Sequence, residues 1–155
     1  MPRITPGGKY IFGWSVVRAD SSIRIPDEAV PEYRLAPGDE VILISGSRTS
    51  GGVVVANRES LAASALAGVL ERIPPLPRGT GPAAGPVRFK GRLYCRAAMG
   101  DDGVLGLTAV AAESFGVATG DRLLAIRGSN IAFVLAQKGP LVKKARNHPE
   151  IPEFS

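Results

Sequence analysis

The chain has very few of the residues that usually carry catalysis or bind metals. Its 155 residues include one cysteine, Cys95, and one histidine, His148. A single cysteine excludes an internal disulfide framework and agrees with a reducing compartment. The sequence has no His/Cys pattern with metal-ligand spacing, no G-x-S-x-G elbow and no G-x-G-x-x-G loop. We therefore expect no metal, no cofactor and no enzyme activity.

Long apolar segments are also missing. No apolar run approaches the roughly 20 residues that span a bilayer. The first residues, MPRITPGGKY, contain no apolar core like that of a secretory signal. These two absences predict a cytoplasmic protein without a membrane partner.

The net charge is basic, +5, and it is unevenly distributed. Residues 1–60 carry 7 basic and 7 acidic side chains, whereas residues 87–155 carry 10 basic and 6 acidic ones. A basic surplus in one half of a chain favours acidic partners such as nucleic acid. The same surplus is also compatible with a simple role in solubility.

The second half of the chain repeats the first with an offset of 82 residues. Residues 8–47 align with residues 90–129 without a gap. Conservative pairs such as Ile25/Leu107 keep the apolar pattern in step. We therefore interpret the chain as two tandem copies of one unit. The identical pairs are Asp20/Asp102, Ala29/Ala111, Ala36/Ala118, Gly38/Gly120, Asp39/Asp121, Ile44/Ile126, Gly46/Gly128 and Ser47/Ser129.

Both copies have the same predicted order of elements. An extended segment, a polar turn, a short strand, a short helix, a Gly-Asp turn, a buried strand and a last strand follow one another. The extended segments are residues 10–18 and 92–100. The apolar runs 41–44 and 123–126 predict strands that are buried on both faces.

Local signals mark the ends of several elements. Pro26 and Asp27 are placed to open the first short helix, and Thr108 is placed to cap the second. Pro37 followed by Gly38 predicts a type II turn, in which glycine adopts a positive φ.

Two further helices and a linker complete the predicted organisation. Residues 59–73 carry an apolar stripe at helical spacing, and residues 74–86 are rich in Pro and Gly, as linkers are. Pro140 is placed to start a last helix, predicted over 140–147. The predicted units are a first repeat (8–57), a helix plus linker (58–89), a second repeat (90–137) and a basic C-terminal helix and tail (138–155).

This order of elements resembles the AbrB/MazE/SpoVT family of swapped-hairpin barrels. In the first copy, GWSVVRADSSIRIPDEAVPEYRLAPGDEVILIS, the matching motifs are Ile25-Pro26 and Pro37-Gly38-Asp39. The second copy, DDGVLGLTAVAAESFGVATGDRLLAIRGS, has Leu107-Thr108 in place of Ile-Pro but keeps Gly120-Asp121. The resemblance covers 8–57 and 90–137. It implies a mainly β fold with short helices, a pseudo-two-fold swapped-hairpin β-barrel built from two tandem AbrB-like repeats of one chain.

The resemblance also implies a function. Members of the family commonly bind DNA as transcription factors or antitoxins, through basic side chains on the first strands and the short helix. The first copy offers Arg18, Arg24 and Arg34 for this role. Its helix departs from the pattern because it is acidic, with Asp27, Glu28 and Glu32.

The segment 88–96 is the clearest basic strip in the sequence. If it is one strand, alternate side chains share a face and place four cations and an aromatic ring in a row. Such a row suits a phosphate backbone, with the ring available for stacking. An exposed edge strand, which charge protects from unwanted pairing, is the alternative. The residues concerned are Arg88, Lys90, Arg92, Tyr94 and Arg96.

A second group of cations follows the second copy. Lys138, Lys143, Lys144 and Arg146 lie in or beside the last predicted helix, with His148 next to them. They are candidates for phosphate contacts. Cations near a helix C-terminus also stabilise the helix dipole, which is an alternative reason for their presence.

A polar loop in the first copy is a candidate anion site. Its hydroxyls, backbone amides and one arginine could surround a phosphate. A plain flexible hairpin loop is the alternative. The loop consists of Ser47, Arg48, Thr49, Ser50, Gly51 and Gly52.

Together these features predict a DNA-binding transcriptional regulator of the AbrB/SpoVT type. Because the 88–96 strip occurs in one copy only, we expect further dimerisation to build a two-fold DNA site. The alternative is a protein-interaction or small-ligand module that has kept the barrel and lost DNA binding, and the acidic short helix favours this alternative.

Overall fold

A computed structural model describes residues 10–63, 68, 87–89, 91–129 and 131–155. Within this part the chain is mainly β, with four short helices and a sheet that forms a nearly closed barrel. The strands are β1 (Ile11–Val16), β2 (Ile23–Arg24), β3 (Glu40–Ser45), β4 (Val53–Asn57), β5 (Val87–Phe89), β6 (Arg92–Met99), β7 (Val104–Gly106), β8 (Arg122–Arg127), β9 (Ala132–Ala136) and β10 (Glu153–Phe154). The helices are α1 (Ala29–Glu32), α2 (Arg58–Ala62), α3 (Ala109–Phe115) and α4 (Pro140–Ala145).

The strand order interleaves the two halves of the chain. It runs β10-β1-β8-β9-β4-β3-β6-β7-β2, and β5 pairs with β6 outside this path. A bridge between Val17 and Ile23 brings β1 back towards β2, which nearly closes the barrel. The β2–β7 pair and the β4–β9 pair therefore lie on opposite sides of the barrel.

The strand registers repeat with the 82-residue offset that the sequence contains. Trp14 on β1 pairs with Leu124 on β8, and the corresponding Arg96 on β6 pairs with Ile42 on β3. Two pairs join corresponding residues directly. Ile23 lies opposite Leu105, and Val53 lies opposite Leu135.

The predicted strands at 41–44 and 123–126 are buried on both faces, as their composition indicated. Val41 and Leu43 point into the barrel, whereas Ile42 and Ile44 form an outer cluster with Leu61 of α2. The outer side chains of β8 pack in a second cluster with Trp14, Val142 and Ala145, so α4 covers that face. Both faces are apolar because helices cover the outside of the sheet.

The two Gly-Asp turns have the same geometry. Gly38 and Gly120 have φ of 85° and 89°, which confirms the conformation predicted for Gly38. In each turn the aspartate carboxylate accepts a backbone N–H three residues earlier, from Ala36 to Asp39 at 3.0 Å and from Ala118 to Asp121 at 2.9 Å. These bonds hold the turn that leads into each buried strand.

The helix ends agree with most of the local signals. Thr108 caps α3 by accepting the N–H of Ala111 at 3.0 Å, and α4 begins at Pro140, as predicted. The prediction that Pro26 and Asp27 open the first helix is wrong by a few residues. The four-residue α1 begins at Ala29 because the chain first turns through a hydrogen bond from the Ala29 N–H to the Pro26 carbonyl.

The helix predicted over 59–73 is present at its start. It begins at Arg58, where the side chain of Asn57 accepts the backbone N–H groups of Glu59 and Ser60. Residues 64–67 and 69–73 of the predicted helix and the whole linker 74–86 lie outside the described residues. Among the described residues, none of the helices combines the length and apolar character needed to cross a bilayer.

The C-terminal strand β10 was not predicted from the sequence. It pairs in parallel with β1, and the Trp14 N–H donates to the Pro152 carbonyl at 2.8 Å. Gly13 makes this close approach possible, since a Cβ there would lie 2.8 Å from Phe154 Cε1 and from the Pro152 oxygen. Its φ of 148° also favours glycine.

Candidate nucleic-acid interface

The predicted basic strip is not a single strand. Its N-terminal part is β5 and its C-terminal part is β6, and the two form an antiparallel hairpin in which Arg88 lies opposite Leu93. The chain turns at Gly91, which has φ of 81°. Alternation along one strand therefore cannot place all five side chains in a row, and that expectation is wrong. Lys90 lies outside the described residues.

The C-terminal end of the strip faces the protein rather than solvent. Tyr94 is 6% exposed and packs in the outer cluster with Ile42 and Leu61. The Arg96 side chain is 13% exposed and its Nη1 lies 2.5 Å from a carboxylate oxygen of Glu40. The Tyr94 ring is thus not presented for stacking, and the charge of Arg96 is matched within the fold.

The two arginines at the hairpin end are exposed. Arg92 Nη1 donates to the Ser45 carbonyl at 3.3 Å, and the Leu93 N–H donates to the Ser45 hydroxyl at 3.0 Å. Ser45 is the last residue of β3 and directly precedes the polar loop 46–52. These contacts place Arg92 at the base of that loop. Arg88 lies opposite Leu93 on the paired strand, so its side chain points to the other face of the hairpin.

The polar loop uses many of its donors to close on itself. The Ser50 N–H donates to the Ser47 hydroxyl at 3.1 Å, and the Gly51 N–H donates to the Ser47 carbonyl at 2.8 Å. The Ser47 and Ser50 hydroxyls lie 3.1 Å apart. Gly51 and Gly52 have φ of 59° and 66°, as a tight hairpin requires. An open anion nest needs free amides, so the exposed Arg48 is the strongest anion-binding group of this loop.

The same loop packs against the start of α4. The Ser50 carbonyl accepts the N–H groups of Gln137 and Lys138 at 2.8 Å and 2.9 Å. Thr49 crosses so close to Gly139 that a Cβ there would lie 2.9 Å from the Thr49 oxygen. The fold thereby joins two segments that the sequence presented separately, the polar loop and the basic helix.

The helix α4 buries one side and presents cations on the other. Val142 and Ala145 are buried, whereas Lys143, Lys144 and Arg146 are exposed. Lys143 and Lys144 lie in the last turn, where their positive charges also interact favourably with the helix dipole. His148 lies just beyond the helix, and its Nδ1 is 3.0 Å from a carboxylate oxygen of Glu150. A hydrogen bond from the Glu150 backbone amide and the hydrogen bond with His148 both lower the pKa of the Glu150 carboxyl.

We call the resulting patch the basic surface. It consists of exposed cations at the hairpin end, on the polar loop and on α4, and none of them takes part in an ion pair within the part of the chain that the structure describes. Its members are Arg48, Arg92, Lys138, Lys143, Lys144 and Arg146.

The three cations predicted in the first copy lie elsewhere, and one of them, Arg34, donates to the Ser60 hydroxyl at 2.8 Å. Arg18 and Arg24 line a cleft beside the β2–β7 pair, on the opposite side of the barrel from the β4–β9 pair. Arg24 Nη2 contacts Asp27 at 3.2 Å. The fold therefore does not bring Arg18 and Arg24 together with the basic surface.

The acidic short helix is largely neutralised by its neighbours. Glu32 forms a two-point contact with Arg127, at 2.7 Å to Nε and 2.5 Å to Nη2, which links the two halves of the chain. The Tyr10 hydroxyl donates to Glu28. The Glu32 carboxylate raises the pKa of Arg127, and burial raises the pKa of Tyr33. The acidity of α1 thus serves contacts inside the fold.

The alternation pattern of residues 88–96 could not reveal the turn at Gly91, and no local signal joins the polar loop to α4. Their contact depends on backbone bonds between residues that are far apart in the chain. Comparisons with protein-family models, with curated proteins and with solved structures found no match to this chain.

Proposed function

We propose that this chain is an internally duplicated DNA-binding regulator of the AbrB/SpoVT type, non-enzymatic, whose basic surface binds the phosphate backbone. The two halves of one chain supply the two units that the family usually takes from two chains, with their hairpins interleaved in one barrel.

The strand registers support the duplication. The Trp14–Leu124 and Arg96–Ile42 pairs convert into each other when 82 is added to one residue number and subtracted from the other. The Gly38 N–H donates to the Met99 carbonyl as the Gly120 N–H donates to the Val17 carbonyl, both at 2.8 Å. An accidental likeness of two segments gives no reason for such reciprocal contacts.

Physical chemistry favours the fusion of the two units. One unit of about 45 residues buries too little apolar surface to be stable alone. A covalent connection makes the pairing of two units intramolecular, at a high effective concentration.

One observation carries the proposed DNA binding: the basic surface is a set of six exposed cations that form no ion pairs among the described residues. Exposed cations without internal partners are available to a polyanion. Phosphates contacted by such side chains release condensed counterions, which supplies free energy that does not depend on base sequence.

The first experiment is fluorescence anisotropy with a labelled random duplex at 50 mM NaCl. The Lys143→Gln/Lys144→Gln variant should bind about tenfold more weakly than the wild type, because two phosphate contacts are lost. Both side chains are exposed, so the variant should keep the wild-type melting temperature.

The matched control is Arg34→Gln/Arg58→Gln, which removes two positive charges outside the basic surface. Arg34 donates to the Ser60 hydroxyl at 2.8 Å, and Arg58 pairs with Glu40 at 3.5 Å. This variant should bind the duplex within about twofold of the wild type, because the charge effect is local at moderate salt. Equal losses in both variants would mean that net charge, rather than the basic surface, governs binding.

A small-ligand module is the second candidate function. The observation that favours it is the cleft beside the β2–β7 pair, where Arg18 and Arg24 lie away from the basic surface.

A further inference from the structure

The cleft beside the β2–β7 pair is large enough for a metabolite. Its volume is about 620 Å³, within the range of small-molecule sites. It lies beside the pairing of Ile23 with Leu105, one of the places at which the two halves of the chain meet. Its lining consists of Arg18, Arg24, Asp27, Val30, Asp102, Gly103, Val104 and Ser155.

The basic side of the cleft has unused donors. Arg18 is exposed and forms no ion pair with any described residue. Arg24 gives one contact to Asp27, and its Nε is buried with no acceptor in the part of the chain described. Because that Nε has almost no accessible surface, a ligand in the cleft would meet Arg24 through its Nη groups.

Carboxylates line the same cleft. Asp102 is exposed, and no ion pair among the described residues involves it. Its backbone is held in the left-handed region, with φ of 59°, at the turn before β7. Asp27 is already opposed by Arg24. Arg18 interacts electrostatically with Asp20 but forms no direct ion pair, so Asp102 and Arg18 are the two charged side chains of the lining without a direct ion pair among the described residues.

Apolar groups lie among these charges. Val30 and Val104 are half-buried and line the same cleft. A ligand that matches the lining has an anionic group, a cationic group and a small apolar part. An anion alone would leave Asp102 unmatched and would approach two carboxylates.

We propose that this cleft binds a free α-amino acid with an apolar side chain. The ligand carboxylate contacts the guanidinium groups of Arg18 and Arg24, its ammonium group contacts Asp102, and its side chain lies against Val30 and Val104. The site is separate from the basic surface and does not depend on DNA binding.

The test is ligand-observed NMR on the purified full chain, with the twenty amino acids as probes and titration of those that bind. At least one apolar amino acid should bind, and its N-acetyl derivative and its amide should each bind about tenfold more weakly, because each lacks one charge. This comparison changes the ligand alone and needs no variant protein. Absence of binding by all twenty, or equal binding of the blocked derivatives, would overturn the proposal.

Two variants locate the site. Arg18→Gln and Asp102→Asn should each weaken binding about tenfold, and asparagine tolerates the left-handed backbone at residue 102. Arg48→Gln on the basic surface is the control and should leave the affinity unchanged. Unchanged affinity in both Arg18→Gln and Asp102→Asn would show that the amino acid binds elsewhere and would contradict the assignment of this cleft.

Discussion

Corresponding positions in the two halves of the barrel carry different chemistry on the outside of the sheet. Trp14 and Arg122 form a cation–π contact in one half, with the guanidinium carbon 4.5 Å from the ring centroid. The corresponding residues in the other half, Arg96 and Glu40, form an ion pair at 2.5 Å. The two contacts cross the same pair of neighbouring strands in each half. The backbone frame therefore stays the same while the chemistry of the outer contact changes.

The interior of the barrel is more uniform. Val41 and Leu123 are both fully buried, as are Leu43 and Ala125. Interior side chains must fill a common core at high packing density, whereas outer side chains need only find a local partner. This difference allows the outer surface to vary in charge without disturbing the barrel, and it gives each of the following predictions a matched position in the other half.

The largest expected effect concerns Gly13 and its counterpart Cys95. Gly13→Ala should lower the free energy of unfolding by about 3 kcal/mol, because the new Cβ meets β10 and φ is positive. Cys95→Ala should cost only about 1 kcal/mol, since it removes one small buried group. Urea denaturation of both variants measures the two losses of unfolding free energy. Equal losses would mean that the close contact with β10 does not exclude a side chain at residue 13.

The next effect compares the two outer contacts. Glu40→Gln should cost about 2 kcal/mol, because it leaves the mostly buried charge of Arg96 without this partner. Arg122→Gln should cost about 0.5 kcal/mol, since Arg122 is half-exposed and its contacts with Trp14 and Glu153 are solvated. Thermal unfolding gives the order of the two effects, and the reverse order would contradict the contrast between the halves.

A smaller difference is expected between the two turn aspartates. Asp39→Ala loses one hydrogen bond and should cost about 1 kcal/mol. Asp121→Ala also loses a contact with Gln137 Nε2, at 3.2 Å, and should cost about 1.5 kcal/mol. Chemical denaturation at pH 7 compares the two, and a larger cost at Asp39 would mean that the Gln137 contact contributes nothing.

The smallest expected effect is a pH dependence at Asp20. The hydroxyl and the backbone N–H of Ser22 lower the pKa of this carboxyl below its ordinary 3.8. Its stabilising contribution is therefore present above about pH 4 and is lost as the pH falls through the lower, native pKa. Asp20→Asn should narrow the difference in urea midpoint between pH 6 and pH 3, and an unchanged difference would contradict this role. The corresponding Asp102 has Val104 in place of Ser22, so Asp102→Asn serves as the control.

Much of the local structure could be predicted from the sequence. The order of strands and helices within the two repeats, the turn at Gly38, the cap at Thr108 and the start at Pro140 all depend on short-range chemistry that each residue carries with it. The strands 41–44 and 123–126 were recognisable because four apolar residues in a row need cover on both faces.

The candidate site could be predicted only in pieces. The alternation of charges over 88–96 is equally compatible with one strand and with a hairpin, and the conformation of Gly91 decides between them. The strand β10 is two residues long, and it can approach β1 closely because Gly13 has no side chain. The contact of Ser50 with Lys138 depends on how the two hairpins meet, which no local pattern contains.

The central claim is that the basic surface, which joins the polar loop, the hairpin end and α4, binds phosphate. The most direct test measures duplex affinity from 50 to 200 mM NaCl and takes the slope of log K against log salt. The slope should be less steep by about two in Lys143→Gln/Lys144→Gln and unchanged in Arg34→Gln/Arg58→Gln. The claim would be contradicted if the folded wild-type protein did not bind duplex DNA at 50 mM NaCl. It would also be contradicted if the slope were the same in Lys143→Gln/Lys144→Gln as in the wild type.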